Sequence, residues 1–153
     1  SILKYCRIMP HEIKLNINID GLPLSKSSGS QFWPILGAIE LDNLHTEPFV
    51  IGMFHGITKP NNVNDFLRPF VDEARIVLRD GISSDNQDYH CKIRINAILC
   101  DAPAKSLITC TKGHAGYFSC SKCVQEGDFI CNRVVYPEIN CMLRTNESFR
   151  TRN

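Results

Sequence analysis

Residues 12 to 20 alternate without a break: Ile13, Leu15, Ile17 and Ile19 share one parity, and Glu12, Lys14, Asn16, Asn18 and Asp20 the other. Period-two alternation puts apolar side chains on one face of a strand and polar ones on the other, so a half-buried strand is expected over 12–19, with a carboxylate ending its polar face. Residues 31–39 and 48–55 predict two more strands, reached through a Ser/Gly/Pro-rich loop over 22–30 and a turn over 41–47. The short connections make these three an antiparallel meander. Pro34 lacks the N–H that a ladder needs, which calls for an edge position or a bulge at that point.

The period then changes. Val63, Phe66, Leu67, Phe70, Val71, Ala74, Val77 and Leu78 recur at spacings of three and four, the stripe of a core-facing helix. Asn62 or Asn64 can cap its start and Gly81 can close it. Pro69 removes one helical hydrogen bond, and a kink or delayed start is expected there. A polar loop over 83–88 leads to a fourth strand over about 91–100, and residues 102–110 read as a short helix with Pro103 tolerated in its first turn. The order is β-β-β-α-β-α. A strand reached through a helical crossover tends to run parallel to an earlier strand. If it docks beside the first strand, Asp20 and Asp101 follow two strand ends that point the same way. Parity opposes this: Asp101 is in phase with Ile93, Ile95 and Leu99, so it reaches the polar face only if the strand has ended or carries a bulge.

Composition narrows the picture modestly. With 153 residues and 43% hydrophobic content the chain is one domain's worth with enough apolar surface for a core. A formal charge of +1 is not that of a typical free-standing nucleic-acid binder. No apolar run is long enough to span a bilayer, and no signal-peptide pattern is present. The last residues, Arg150-Thr-Arg-Asn153, close no element, and the chain reads as a piece of a longer protein. Of the eight cysteines, Cys91, Cys100 and Cys110 sit in or beside apolar runs, where a thiol behaves as a small hydrophobe, so a reducing compartment is expected.

Two constellations carry chemistry. Asp20 and Asp101, if brought together, offer oxygen ligands for Mg²⁺ or Mn²⁺, and a pair of such ions can stabilise both the attacking and the leaving oxygen in phosphodiester cleavage. The plain alternatives are that Asp20-Gly21 is a turn dipeptide and that Asp101 is a helix N-cap. Cys120-Ser-Lys-Cys123 has the spacing of a zinc knuckle. His114 is the nearest further ligand, with Cys131 and Cys141 as others, and a redox pair is the competing reading of the same spacing. Lys59, Arg68, Arg75 and Arg79 flank the main helix, and Lys105, Lys112, Lys122, Arg133, Arg144, Arg150 and Arg152 crowd the second half; they form a solvated surface or track a phosphate backbone. His55, His90 and Trp33 read as structural.

Taken in order, Asn18-Ile-Asp-Gly-Leu-Pro-Leu-Ser-Lys-Ser-Ser28, Phe32-Trp-Pro-Ile35, Pro48-Phe-Val-Ile-Gly52, Lys59-Pro60, Cys100-Asp-Ala-Pro-Ala104, Gly113-His114 and Cys120-Ser-Lys-Cys123 resemble eukaryotic cut-and-paste DNA transposases, closest to the CACTA (En/Spm-type) group. The resemblance covers residues from about 12 to 150. It implies an α/β, RNase H-like mixed sheet with a DDE/D triad and two divalent ions, a nuclear enzyme acting on transposon ends and target DNA, and a homo-oligomer when complete. Asp20 and Asp101 fall on its first two acidic positions, and Cys120, Cys123 and His114 on its structural zinc segment. Its third acidic residue has no counterpart here, since Glu126, Asp128, Glu138 and Glu147 come too early. The expected layout is an N-terminal flank over 1–11, the first part of the RNase H-like core over 12–112, and a Cys/His zinc-binding-like segment opening an insertion over 113–153. Two rivals stand beside the transposase: a domesticated, inactive zinc-containing module that binds DNA or protein, and a host nuclease of the same fold.

Overall fold

The structure is a computed structural model that describes residues 10–25, 29–41, 44–84, 89–113 and 115–151. The chain folds as two compact units, Ser1–Cys100 and Asp101–Asn153.

The first unit is a mixed sheet with one long helix. Its principal strands are β1 (Glu12–Ile19), β3 (Gln31–Leu41), β5 (Phe49–Gly56) and β7 (His90–Leu99). Short strands β2 (Leu22–Pro23) and β4 (Leu44–His45) pair with β3, inside segments whose composition indicated only loop and turn. Strand β6 (Ile82–Ser83) pairs with the start of β7. β1, β3 and β5 form the expected antiparallel meander, with β3 in the middle, and β7 lies on the other side of β1 and parallel to it. The meander is dictated by short connections; the parallel pair is made possible by helix α1 (Val63–Asp80), which carries the chain back to the starting edge.

The alternation in β1 does what its period requires. Ile13, Ile17 and Ile19 are buried, while Glu12 and Lys14 are exposed. Each buried isoleucine contributes on the order of 1.5–3 kcal/mol relative to an exposed one. Trp33 and Ile35 from β3 and Cys91 and Ile93 from β7 are buried too, and Val77 of α1 packs on the cluster of Ile13, Cys91 and Ile93. Cys91 is thus a core residue, and no disulfide forms among the described cysteines. The helix does not seal the sheet: an open groove of about 350 Å³, lined mainly by aliphatic side chains, remains between them.

Local chemistry sets the ends of α1. Asn62 is the N-cap, its side-chain oxygen accepting from the Asn64 and Asp65 amides at 3.0 and 3.3 Å. Gly81 closes the helix at φ 68°, its N–H donating to Val77 O at 2.9 Å, and a Cβ there would lie 2.5 Å from the Cys91 carbonyl. The helix runs through Pro69, in its second turn, without interruption. Pro34 is not on an edge strand; the β3–β5 pairing instead shifts register between Ile35 and Leu36, next to it, which is the bulge alternative.

The second unit has little regular structure. It contains α2 (Ala102–Ile108), a hairpin of β8 (Asp128–Ile130) and β9 (Arg133–Val135), and α3 (Asn146–Thr151). Cys131 and Asn132 form the two-residue hairpin turn with φ of 48° and 63°, the paired positive values of a type I′ turn. Tyr136, just past β9, ties the hairpin down: its hydroxyl accepts from the Ser119 amide at 3.0 Å and donates to Gly116 O at 2.5 Å. Among the described residues, no helix is long and apolar enough to cross a membrane.

Candidate functional site

The first acidic position is prepared by the strand that precedes it. The β1–β3 ladder ends at Ile19↔Ile35, and Pro34 is the next residue on β3, where it has no N–H to extend the ladder. Asp20 therefore leaves the sheet, half-buried, with Oδ1 accepting from the Gly21 amide at 2.7 Å. Gly21 passes against the Trp33 indole so closely that a Cβ would lie 2.8 Å from the ring. The Asp-Gly pair thus has a packing reason as well as a turn preference.

Strand β7 carries a bulge, one of the two conditions that the parity of its pattern set. Leu15 pairs with Ile95 but Asn16 pairs with Ala97, so Asn96 is the extra residue of a bulge. Before it, Lys92 and Arg94 are in phase with Glu12 and Lys14; after it, Ala97 and Leu99 are in phase with Asn16 and Asn18. Polar side chains hold the bulge. Asn96 Nδ2 donates to Asn16 Oδ1 at 3.0 Å and to Glu40 Oε2 at 2.8 Å, and Asn16 Nδ2 donates to Glu40 Oε2 at 2.9 Å. Asn18 Nδ2 donates to Leu99 O at 3.3 Å, fastening the two parallel strand ends. Asp20 stands two residues beyond Asn18 in the chain, and Asp101 two residues beyond Leu99. Asn16 and Asn18 were read only as polar-face positions of β1, and Asn96 was not singled out; an Asn inside the apolar run of β7 was the available signal for the bulge.

Asp101 opens the second unit as the N-cap of α2. Its Oδ1 accepts from the Ala104 amide at 2.7 Å and its backbone carbonyl from the Lys105 amide at 2.9 Å. The capping role is therefore present whatever else the carboxylate does. Ala104 is buried beneath this first turn, and Lys105 Nζ donates to Ser121 Oγ at 2.9 Å, linking α2 to the Cys120–Cys123 segment. The helix is shorter than the spacing implied: it ends at Ile108, and Cys110 is an exposed residue at φ 54° rather than an apolar packing residue.

Cys120 and Cys123 form a tight knuckle with sulfurs 3.2 Å apart. Its backbone is anchored by an antiparallel bridge between Cys123 and Leu143, with Val124 N–H donating to Met142 O at 3.0 Å and Arg144 N–H to Lys122 O at 2.9 Å. Arg144 Nε donates to Cys120 O at 3.0 Å. The Lys122 amide, the Cys123 thiol and the Cys123 amide all stabilise the Cys120 thiolate, and its pKa is lowered. For Cys123 the Gln125 amide acts in the same direction, but sharing a proton with Cys120, desolvation and the charges of Cys120 and Cys141 outweigh it and push the thiol up.

Two adjacent sulfurs on one turn suit Zn²⁺ ligation, which takes deprotonated thiolates in a tetrahedral set. Cys141 is close enough to Cys123 to act on it electrostatically. Cys131 lies at the exposed tip of the β8–β9 hairpin. His114 lies outside the described residues. Among the described residues, no three His, Cys, Asp or Glu side chains converge to hold a metal. Trp33 is buried with its indole N–H donating to Gln31 Oε1 at 2.8 Å, and His55 and His90 share hydrogen bonds with Ser30 and Ser83.

No family model matches the chain, and no curated protein and no solved structure is significantly similar to it.

Proposed function

We propose that the chain is part of the catalytic core of a DNA transposase with an RNase H-like fold, in which Asp20 and Asp101 are two of the carboxylates that hold Mg²⁺ or Mn²⁺. One observation carries the reading: the parallel pairing of β1 with β7, with the Asn96 bulge, puts the two strand ends in the same phase and direction immediately before the two acids. The β-β-β-α-β-α order and the motif resemblance point the same way. Bound divalent ions would activate the attacking water or 3′-hydroxyl and neutralise the leaving oxygen, giving strand cleavage and then strand transfer. The residues' own part is to offer oxygen ligands: Asp20 follows the partly buried strand β1, and Asp101 caps α2. The resemblance implies a third carboxylate as well, so the activity belongs to the full-length protein. In the same reading Cys120 and Cys123, with His114, hold a structural Zn²⁺.

A second reading is favoured by the hydrogen bonds themselves. Asp20 Oδ1 serves the Gly21 amide and Asp101 Oδ1 caps α2, so both acids have structural employment in a module that binds DNA or protein without cutting.

The deciding experiment is Mg²⁺-dependent cleavage of DNA by the full-length parent beside its Asp20→Asn variant, with zinc determined on both. Nicking that disappears in the variant is the expected outcome. Nicking retained by a folded Asp20→Asn protein removes Asp20 from the site, and a folded, zinc-replete parent that never nicks establishes the binding module instead.

A further inference from the structure

The Cys120–Cys123 turn carries a second chemistry in its geometry. The two sulfurs lie 3.2 Å apart. A disulfide bond measures about 2.05 Å, so an approach of about 1.2 Å would join them. Side-chain rotation supplies it, because the backbone is already fixed by bonds in which neither sulfur takes part: the Cys123–Leu143 bridge, Val124 N–H donating to Met142 O, and Arg144 N–H donating to Lys122 O. The Cys123 amide also donates to Cys120 Sγ at 3.4 Å, which holds that sulfur over the turn. Both thiols are partly exposed, whereas Cys91 is buried. A small thiol reagent can therefore reach the pair, and each sulfur stands where it can attack the other.

We propose that Cys120 and Cys123 form a reversible dithiol–disulfide site, oxidised by low-molecular-weight disulfides such as oxidised glutathione. One protein thiolate attacks a sulfur of the reagent, forms a mixed disulfide and expels the first glutathione thiolate. The second protein thiolate then attacks the protein sulfur of that mixed disulfide and expels the other. The reagent's S–S bond breaks and the Cys120–Cys123 bond forms; two electrons pass to the reagent, and the two thiol protons leave on the released glutathiones. Closure is intramolecular between groups already in contact, so it outruns the return attack by free glutathione. Excess reduced glutathione reverses the sequence. A pair in the disulfide form has no thiolate to offer a metal, so oxidation and zinc binding exclude one another at this turn. That exchange rests on the zinc site proposed above; the disulfide itself does not.

The test is equilibration of the full chain in glutathione buffers of increasing oxidised share, followed by an acid quench, chymotryptic peptide mass spectrometry and measurement of released zinc. The peptide carrying both cysteines is expected to lose two hydrogens and to keep no glutathione. Urea-unfolded chain should need an oxidised share about tenfold higher for the same conversion. In Cys123→Ser, where the closing sulfur is gone, a glutathione adduct should accumulate on Cys120; if that variant does not fold, the wild-type outcomes decide. A glutathione adduct that persists on Cys120 or Cys123 of the wild type overturns the proposal. So does a pair that stays reduced while the exposed Cys131 takes up glutathione. A midpoint unchanged by urea overturns the role of the folded turn. Disulfide formation in a chain that never holds zinc sinks the zinc reading alone. Zinc retained by the disulfide form sinks the exchange alone.

Discussion

The two units of the chain are stabilised by different physics. In Ser1–Cys100, order comes from long-range burial: β1 contributes three buried isoleucines, β3 and β7 flank it, and α1 covers part of the resulting face. In Asp101–Asn153, order comes from particular polar contacts and turns: the Asp101 cap, the Tyr136 hydroxyl, the positive-φ hairpin turn and the bridge that closes the Cys120–Cys123 knuckle. Among its described residues the buried ones include Ala104 and Gln125 but no large aliphatic side chain. A unit with so little buried apolar surface is the kind that a metal staple stabilises, because the metal's binding free energy adds directly to folding.

This contrast can be broken or sharpened by mutation. The largest effect is expected from inserting one alanine between Ala97 and Ile98. The extra residue moves the strand beyond it to the opposite face relative to β1, so on the catalytic reading DNA cleavage by the full-length protein should be lost. Cleavage that survives the insertion would show that the phase of the strand end is irrelevant to the chemistry. Next is Ile17→Ala, at the most buried position of β1, expected to cost about 2–5 kcal/mol in denaturant unfolding of the first unit. Amide protection in the second unit should change far less; equal loss in both would show that they unfold as one.

On the proposed zinc reading, chelation, or Cys120→Ser, is the reverse experiment. Proteolysis should then start within the second unit while β1, β3 and β7 stay protected, and alkylation of the metal-free protein should reach Cys120 before Cys123, given the lowered pKa of the former and the raised pKa of the latter. The smallest effect separates the two roles of Asp101. Asp101→Ala removes the cap and should cost about 1 kcal/mol, whereas Asp101→Asn preserves the cap. If Asp101→Asn nevertheless stops cleavage, the carboxylate has a role beyond capping; full activity in Asp101→Asn would leave it only the cap.

What the sequence determined by itself was local. The period-two pattern placed β1 at residues 12–19, the period-3.6 stripe placed α1 between Asn62 and Gly81, and short connections made the meander. Those signals are legible because each residue's partner in the pattern is near in sequence. The capping geometry of Asp101 and the spacing of the knuckle were legible for the same reason. The hairpin β8–β9 was not, since its strands have three residues each and no period can be read from so few.

Only the tertiary structure decided the phase of the two parallel strand ends. The pattern of β7 marked Asn96 as an odd residue but did not require it to be the extra one. It is selected there by Asn16 and Glu40, 80 and 56 residues away, whose side chains share hydrogen bonds with it. An open groove in the second unit, lined by Lys112, Phe118, Arg144 and Phe149 among others, has the same origin. Its halves are separated by the whole hairpin and meet because the backbone at Cys123 bridges to Leu143. Residues that become neighbours only through pairing across such distances carry no short-range pattern, and their meeting is fixed by the free energy of the folded unit as a whole.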